Sequence, residues 1–204
     1  MNPIGERIDY AQRHLEEAQA ILQMLDVRAI ERLAAAVARI KASAGRIFFL
    51  GVGGSAANCS HAVNDFRKLA GIECYAPTDN AAELTARIND EGWESAFVEW
   101  LKVSRLSAPD AVFVLSVGGG DAERKISVNL IEAVRYARAV GARVLGVLGR
   151  DGGYTARVAD AAVIIPTANR ETVTPHCEAF QALIWHLLVS HPLIKVNAPK
   201  WESV

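Results

Sequence analysis

The first chemistry the chain offers lies in two glycine-rich stretches. Gly51-Val52-Gly53-Gly54-Ser55 and Ser116-Val117-Gly118-Gly119-Gly120 each combine unobstructed backbone N–H groups with a hydroxyl. Where such a turn opens a helix, those N–H groups and the positive end of the helix dipole form a cradle for an anion. Gly53, Gly54 and Ser55, with Ser116, Gly118, Gly119 and Gly120, are therefore candidates to bind a phosphorylated small molecule. A single cluster could equally be a tight strand–helix turn; two clusters, at the ends of separate strands, favour a site. No GKS or GKT occurs, which argues against a Walker-type nucleotide loop. Ala56 stands where the dinucleotide fingerprint has its third glycine, and Tyr75-Ala76-Pro77 takes the place of the ribose-binding acid after the second strand, so a dehydrogenase reading is disfavoured.

Both turns need strands that deliver them to one edge of a sheet. Ile8, Ala11, Leu15, Ala18, Leu22 and Leu25 recur at helical spacing, as do Ile30, Leu33, Ala34, Val37 and Ile40, so residues 1–43 read as two helices stopped at Ser43-Ala44-Gly45. Arg46–Leu50 is apolar after its arginine, as in a strand buried on both faces, and a helix over Ala56–Leu69 follows the first glycine turn. The unit recurs with a strand at Asp110–Leu115 and a helix from about Glu123 to Val140. Arg143–Leu148 and Ala161–Ile165 are further strands, Ile72–Tyr75 a shorter one, and Pro175 lies in the first turn of a last helix running to Ser190. Strands alternating with helices predict a doubly wound α/β fold with a mainly parallel five-stranded sheet and helices on both faces. The organisation expected is one domain over 1–204: N-terminal helices (1–43), an α/β core (44–191) and a tail (192–204) holding Lys195, Lys200 and Trp201. In such sheets ligands bind beyond the carboxyl ends of the strands, where both turns lie.

The formal charge of −1 gives no basis for a nucleic-acid groove or an anionic membrane partner. No apolar run approaches the roughly 18 residues of a membrane span, and the charged, amphipathic first twenty residues lack the apolar centre of a secretory signal. The 3 cysteines, Cys59, Cys74 and Cys177, form no CxxC pair and are odd in number, so no disulfide framework is expected and a cytoplasmic location follows.

The ordered set of motifs resembles the sugar isomerase (SIS) domain family, and within it the phosphoheptose isomerases. The residues concerned are Gly51-Val52-Gly53-Gly54-Ser55-Ala56-Ala57, His61 in the next helix, Leu84-Thr85-Ala86 with Asn89-Asp90, the run Val144–Gly153, and Glu178 with His186. This resemblance implies a flavodoxin-like SIS fold and an aldose–ketose isomerase acting on sedoheptulose 7-phosphate for lipopolysaccharide or capsule heptose. It also implies a homotetramer with sites between subunits and, in several members, bound zinc. Carried over residue by residue, Ser55 and Asp90 contact substrate, and Asp65 and His186 are the acid/base pair. Asp65 stands where the family has glutamate, Glu178 where it has glutamine. His61 and Asp65 share a helix face at i, i+4, while Glu178 and His186 lie about two turns apart. His61, Asp65, Glu178 and His186 would suit a tetrahedral Zn2+ site, with His176 as a possible substitute ligand and His14 and His191 as surface or interface residues.

The resemblance also has gaps. The family's S-T-S-G-N-S loop has become Ser116-Val117-Gly118-Gly119-Gly120-Asp121, so that three hydroxyl positions are Val117, Gly118 and Asp121. Asp121 would repel a dianion unless Arg124 or Lys125 intervened. Arg67 and Lys68 offer a compensating charge or simply a solvated helix face. The alternative to an isomerase is a non-catalytic module of the same family that senses a phosphosugar or binds protein as a tetramer.

Overall fold

In the computed structural model, residues 3–198 are described, with side chains from residue 9 onward. Ile8, Lys200 and Trp201 therefore lie outside the described side chains. Five parallel strands, β1 (Ile47–Leu50), β2 (Cys74–Tyr75), β3 (Ala111–Ser116), β4 (Arg143–Leu148) and β5 (Ala161–Ile164), form one sheet in the order β2-β1-β3-β4-β5. The helices are α1 (Pro3–Met24), α2 (Val27–Ala42), α3 (Gly54–Asp65), α4 (Ala81–Glu91), α5 (Ala96–Val103), α6 (Val128–Ala139), α7 (Gly153–Val158) and α8 (Val173–Ser190).

Strand periodicity divides the core into two layers. Ile47, Phe49, Phe113, Leu115, Leu145 and Val147 point to one face, where residues of α2, α3 and α8 cover them. Phe48, Leu50, Val112, Val114 and Val144 point to the other, beneath residues of α5 and α6. All four residues of β1 and all six of β3 are buried, which explains their unbroken apolar sequences. Asp110 ties the N-terminal ends of these strands together. Its side chain is 3% exposed and accepts from the backbone N–H and guanidinium of Arg46 and from Ser107.

Several boundaries differ from the sequence reading for identifiable reasons. Helix α6 begins at Val128, five residues after Glu123, because residues 121–126 form a small hairpin. Asp121 and Ile126 exchange backbone hydrogen bonds, the Asp121 carboxylate accepts from the N–H of Glu123 and Arg124, and Lys125 and Ser127 have positive φ. Helix α3 starts at Gly54 and finishes in a π turn over Phe66–Ala70, capped by left-handed Gly71. The stretch between Asp79 and Arg105 holds α4 and α5. Helix α4 is N-capped by Asn80 and buries none of its residues. Part of the C-terminal tail is docked: Ile194 is buried, and Val196 and Asn197 donate to the carbonyl of Leu69. No helix among the described residues is long and apolar enough to cross a membrane.

Candidate functional site

After β1 the chain reaches β2 on one side, and β3 then pairs with β1 on the other. Strand order reverses there, so the turns following β1 and β3 flank the crevice in which open α/β sheets bind ligands. The two glycine turns are those turns, as their positions in the sequence require.

Within the first turn, Ser55 is 1% exposed and its Oγ accepts from Gln181 Nε2 at 3.0 Å. Gln181 is itself fully buried, and its Oε1 accepts from Asn58 Nδ2 at 3.1 Å. Glu178 lies alongside: a Cβ at Gly54 would meet its carboxylate. A carboxylate thus stands at the N-terminus of α3, where the helix dipole favours negative charge and where an anionic ligand was expected.

Inside the second turn, Ser116 Oγ accepts from the N–H of Gly118 and Gly119 at 3.3 and 3.0 Å. The turn is clamped to α7: Gly120 O accepts from Tyr154 N, and Gly119 O from Thr155 N and Oγ1. Gly119 has φ +67°, and a Cβ there would run into the carbonyl of Gly152. The loop's shape is therefore set by the G-x-D-G-G turn after β4 as much as by its own residues. Asp121 faces its own hairpin, with Arg124 Nε 3.7 Å from its carboxylate.

His61, Asp65 and His186 come together on the outer side of α3 and α8. Nε2 of His61 and Nε2 of His186 each lie 3.8 Å from Asp65 Oδ2. Asn64 Nδ2 donates to Asp65 Oδ1 at 2.8 Å, leaving Oδ2 to the imidazoles. His186 Nδ1 lies 2.8 Å from the carbonyl of Ala182. A carbonyl can only accept, so Nδ1 carries the proton and Nε2 of the neutral ring presents a lone pair. Trp185 packs under both rings, at centroid distances of 4.6 Å to His61 and 3.5 Å to His186.

Glu178 does not join this group in the chain. Eight residues of helix separate it from His186, about 12 Å along the axis, which corrects the expectation that the two share one ion. Asp90 is exposed on α4, paired with neighbouring Asn89. His176 pairs with Glu17 of α1 instead of supplementing His61, and His14 is half-buried, its ring stacked on that of His176. His191, only 15% exposed, pairs with Glu31. Arg67 donates to the carbonyl of Cys74 and is engaged in closing β2. All three cysteines are buried, and burial raises their thiols, that of Cys177 to about 12, which removes them as thiolates near neutral pH. Sequence reading missed Gln181, Asn58 and Asn64; a lone glutamine on the buried stripe of α8 was the available signal for the first.

The chain matches the SIS domain family over residues 10–149. A phosphoheptose isomerase of Rhodospirillum rubrum is 31% identical over 166 residues, covering 78% of this chain and 82% of that protein. The lincomycin biosynthesis protein LmbN of Streptomyces lincolnensis is 34% identical over 76% of this chain, but the match spans only 56% of that protein. Among solved structures, a phosphoheptose isomerase from Neisseria gonorrhoeae superposes with a TM-score of 0.77 at 25% identity, covering 92% of this chain and 98% of that one.

Proposed function

The chain belongs to the SIS domain family, and on that premise we propose that it is a phosphosugar isomerase interconverting sedoheptulose 7-phosphate and the corresponding aldose. The observation that carries this reading is the convergence of His61, Asp65 and His186, three proton- or metal-handling groups around one point, in a chain similar to phosphoheptose isomerases along most of its length. A non-catalytic sensor or scaffold has no requirement for that convergence.

Isomerisation transfers a proton from C1 to C2 through an enediol while the hydroxyl proton passes between the two oxygens. In the metal-free site the Nε2 lone pair of His186 and Oδ2 of Asp65 face the same point, so one can take the carbon-bound proton while the other serves the oxygens; a bound ion would occupy both donors and supply carbonyl polarisation instead. The buried Ser55–Gln181 pair and the Ser116 loop would hold the phosphate end, with Gly53, Gly54, Gly118, Gly119 and Gly120 lining the approach and Asp90 on α4 contacting the sugar. Phosphate entry requires Glu178 to turn away or be neutralised.

Zinc fits the first group. The 3.8 Å N···O separations are too long for hydrogen bonds, and closing each by about 0.4 Å would match tetrahedral ligands about 2.0–2.1 Å from one ion. The proton on His186 Nδ1, held by a backbone carbonyl, is the outer contact expected of a ligating histidine. His61, Asp65 and His186 would hold the ion. When bound, zinc would polarise the substrate carbonyl. Exposed apolar side chains on α1 (Tyr10, Leu15, Leu22) and α8 (Leu183, Leu187) support self-association as a homotetramer. A cytoplasmic location and a product destined for lipopolysaccharide or capsule heptose complete the reading.

The test is incubation with sedoheptulose 7-phosphate, followed by NMR for the heptose 7-phosphate aldose, on protein as purified, chelated and zinc-supplemented. Turnover that falls on chelation and returns with zinc is the expected result. Turnover indifferent to metal would keep the isomerase and leave Asp65 and His186 as acid/base residues alone. No turnover in any condition would remove the heptose assignment.

A further inference from the structure

A second cluster of ligand atoms lies where α1 meets the first turn of α8. His14 and Glu17, three residues apart on α1 and so on one face, meet His176, and one ligand atom from each lies within 4.8 Å of the other two. Glu17 Oε2 is 2.9 Å from His176 Nε2, with the two side chains 20% and 4% exposed. Thr172 Oγ1 donates to Glu17 Oε2 at 2.6 Å and Asn169 Nδ2 to Oε1 at 2.7 Å. Such contacts fix a carboxylate in the way outer-shell residues fix a metal ligand.

A His176–Glu17 ion pair would account for these contacts, but not for His14. Its Nδ1 is buried and has no hydrogen-bond partner among the described residues, an arrangement that costs free energy and is uncommon in folded proteins. A cavity of about 200 Å³ opens beside it, lined by Tyr10, Arg13, His14, Glu17, Asn169 and Thr172 among others. Two imidazoles, one carboxylate and an open side make up the three-ligand donor set of a zinc site that keeps a position for water. The His14 and His176 rings stack at 4.2 Å and 21°. Stacked rings direct their in-plane lone pairs side by side, so a turn of the His14 ring about χ2 would aim one of its nitrogens at an ion shared with Glu17 and His176.

We propose that His14, Glu17 and His176 bind a divalent transition-metal ion, of which zinc is the type, at a site separate from the His61 group, and that this ion pins α1 to α8. The proposal does not depend on the isomerase reading, because its readout is metal content and thermal stability.

The experiment titrates zinc into the full chain carrying His61→Ala and His186→Ala, two half-exposed positions, so that the first group is disabled. One ion per chain is expected there, with a zinc-dependent rise in melting temperature. Adding His14→Ala, which removes no side-chain hydrogen bond among the described residues, abolishes both. Adding Asn169→Ala instead weakens binding by about 10–100-fold. Absence of zinc binding in the His61→Ala/His186→Ala chain overturns the proposal, as does stoichiometric binding that survives His14→Ala. A circular dichroism melt without zinc checks that every variant is folded.

Discussion

Asp65→Asn is expected to lower kcat on sedoheptulose 7-phosphate by about 10²–10⁴-fold, the usual contribution of a positioned acid/base group, with a smaller change in KM. Asparagine keeps the shape of aspartate and can still meet Asn64, so the fold should persist. It loses the charge on Oδ2, the one atom that both His61 Nε2 and His186 Nε2 approach, at 3.8 Å. Both routes by which this carboxylate could act, accepting a proton or holding an ion between two imidazoles, fail together. Steady-state kinetics on the purified variant decide the matter. A kcat within about threefold of the parent chain would remove Asp65 from the chemistry and leave His186 without its proposed partner.

Trp185→Ala carries the second large effect, because one side chain serves both the core and the site. Trp185 is fully buried and packs directly beneath His61 and His186. Truncating a buried tryptophan to alanine costs about 3–5 kcal/mol, which in a chain of this size lowers the melting temperature by roughly 10 °C. Activity should also fall, since both imidazoles lose the surface that orients them. Trp185→Phe separates the two contributions. The indole Nε1 has no partner among the described residues, so phenylalanine forfeits apolar contact but no hydrogen bond, and most of the stability should return. Calorimetric melts of the two variants provide the check; a Trp185→Ala chain as stable as the parent would contradict the packing described.

The sequence conveyed strand–helix order well because its signals are local. Buried parallel strands such as Phe48-Phe49-Leu50 are unbroken apolar runs, and glycine turns mark their carboxyl ends. Errors arose where side-chain contacts decide a boundary. The helix expected from about Glu123 starts later because the Asp121 carboxylate accepts from the amides two and three residues on, and residues 121–126 form a hairpin. The pairing of His61 with Asp65 was legible from i, i+4 spacing, which fixes distance within one helix. Glu178 was misplaced because residues eight apart share a face without sharing a height. His14 and Glu17 could not be read as partners of His176, since 159 residues separate Glu17 from that histidine and no local pattern encodes their meeting.

The contact between Gly54 and Glu178 has a consequence in the vocabulary of genetics. Gly54 does not have a backbone conformation reserved for glycine; what an added methyl would meet is the movable end of Glu178. An alanine allele at 54 would therefore act by displacing the carboxylate, and it would reproduce the phenotype of an allele at 178. The two positions should be strongly epistatic, with the double substitution no worse than the more severe single one, as expected of residues in direct contact. Selection at either codon would then be read through the other, although 123 positions of the chain lie between them.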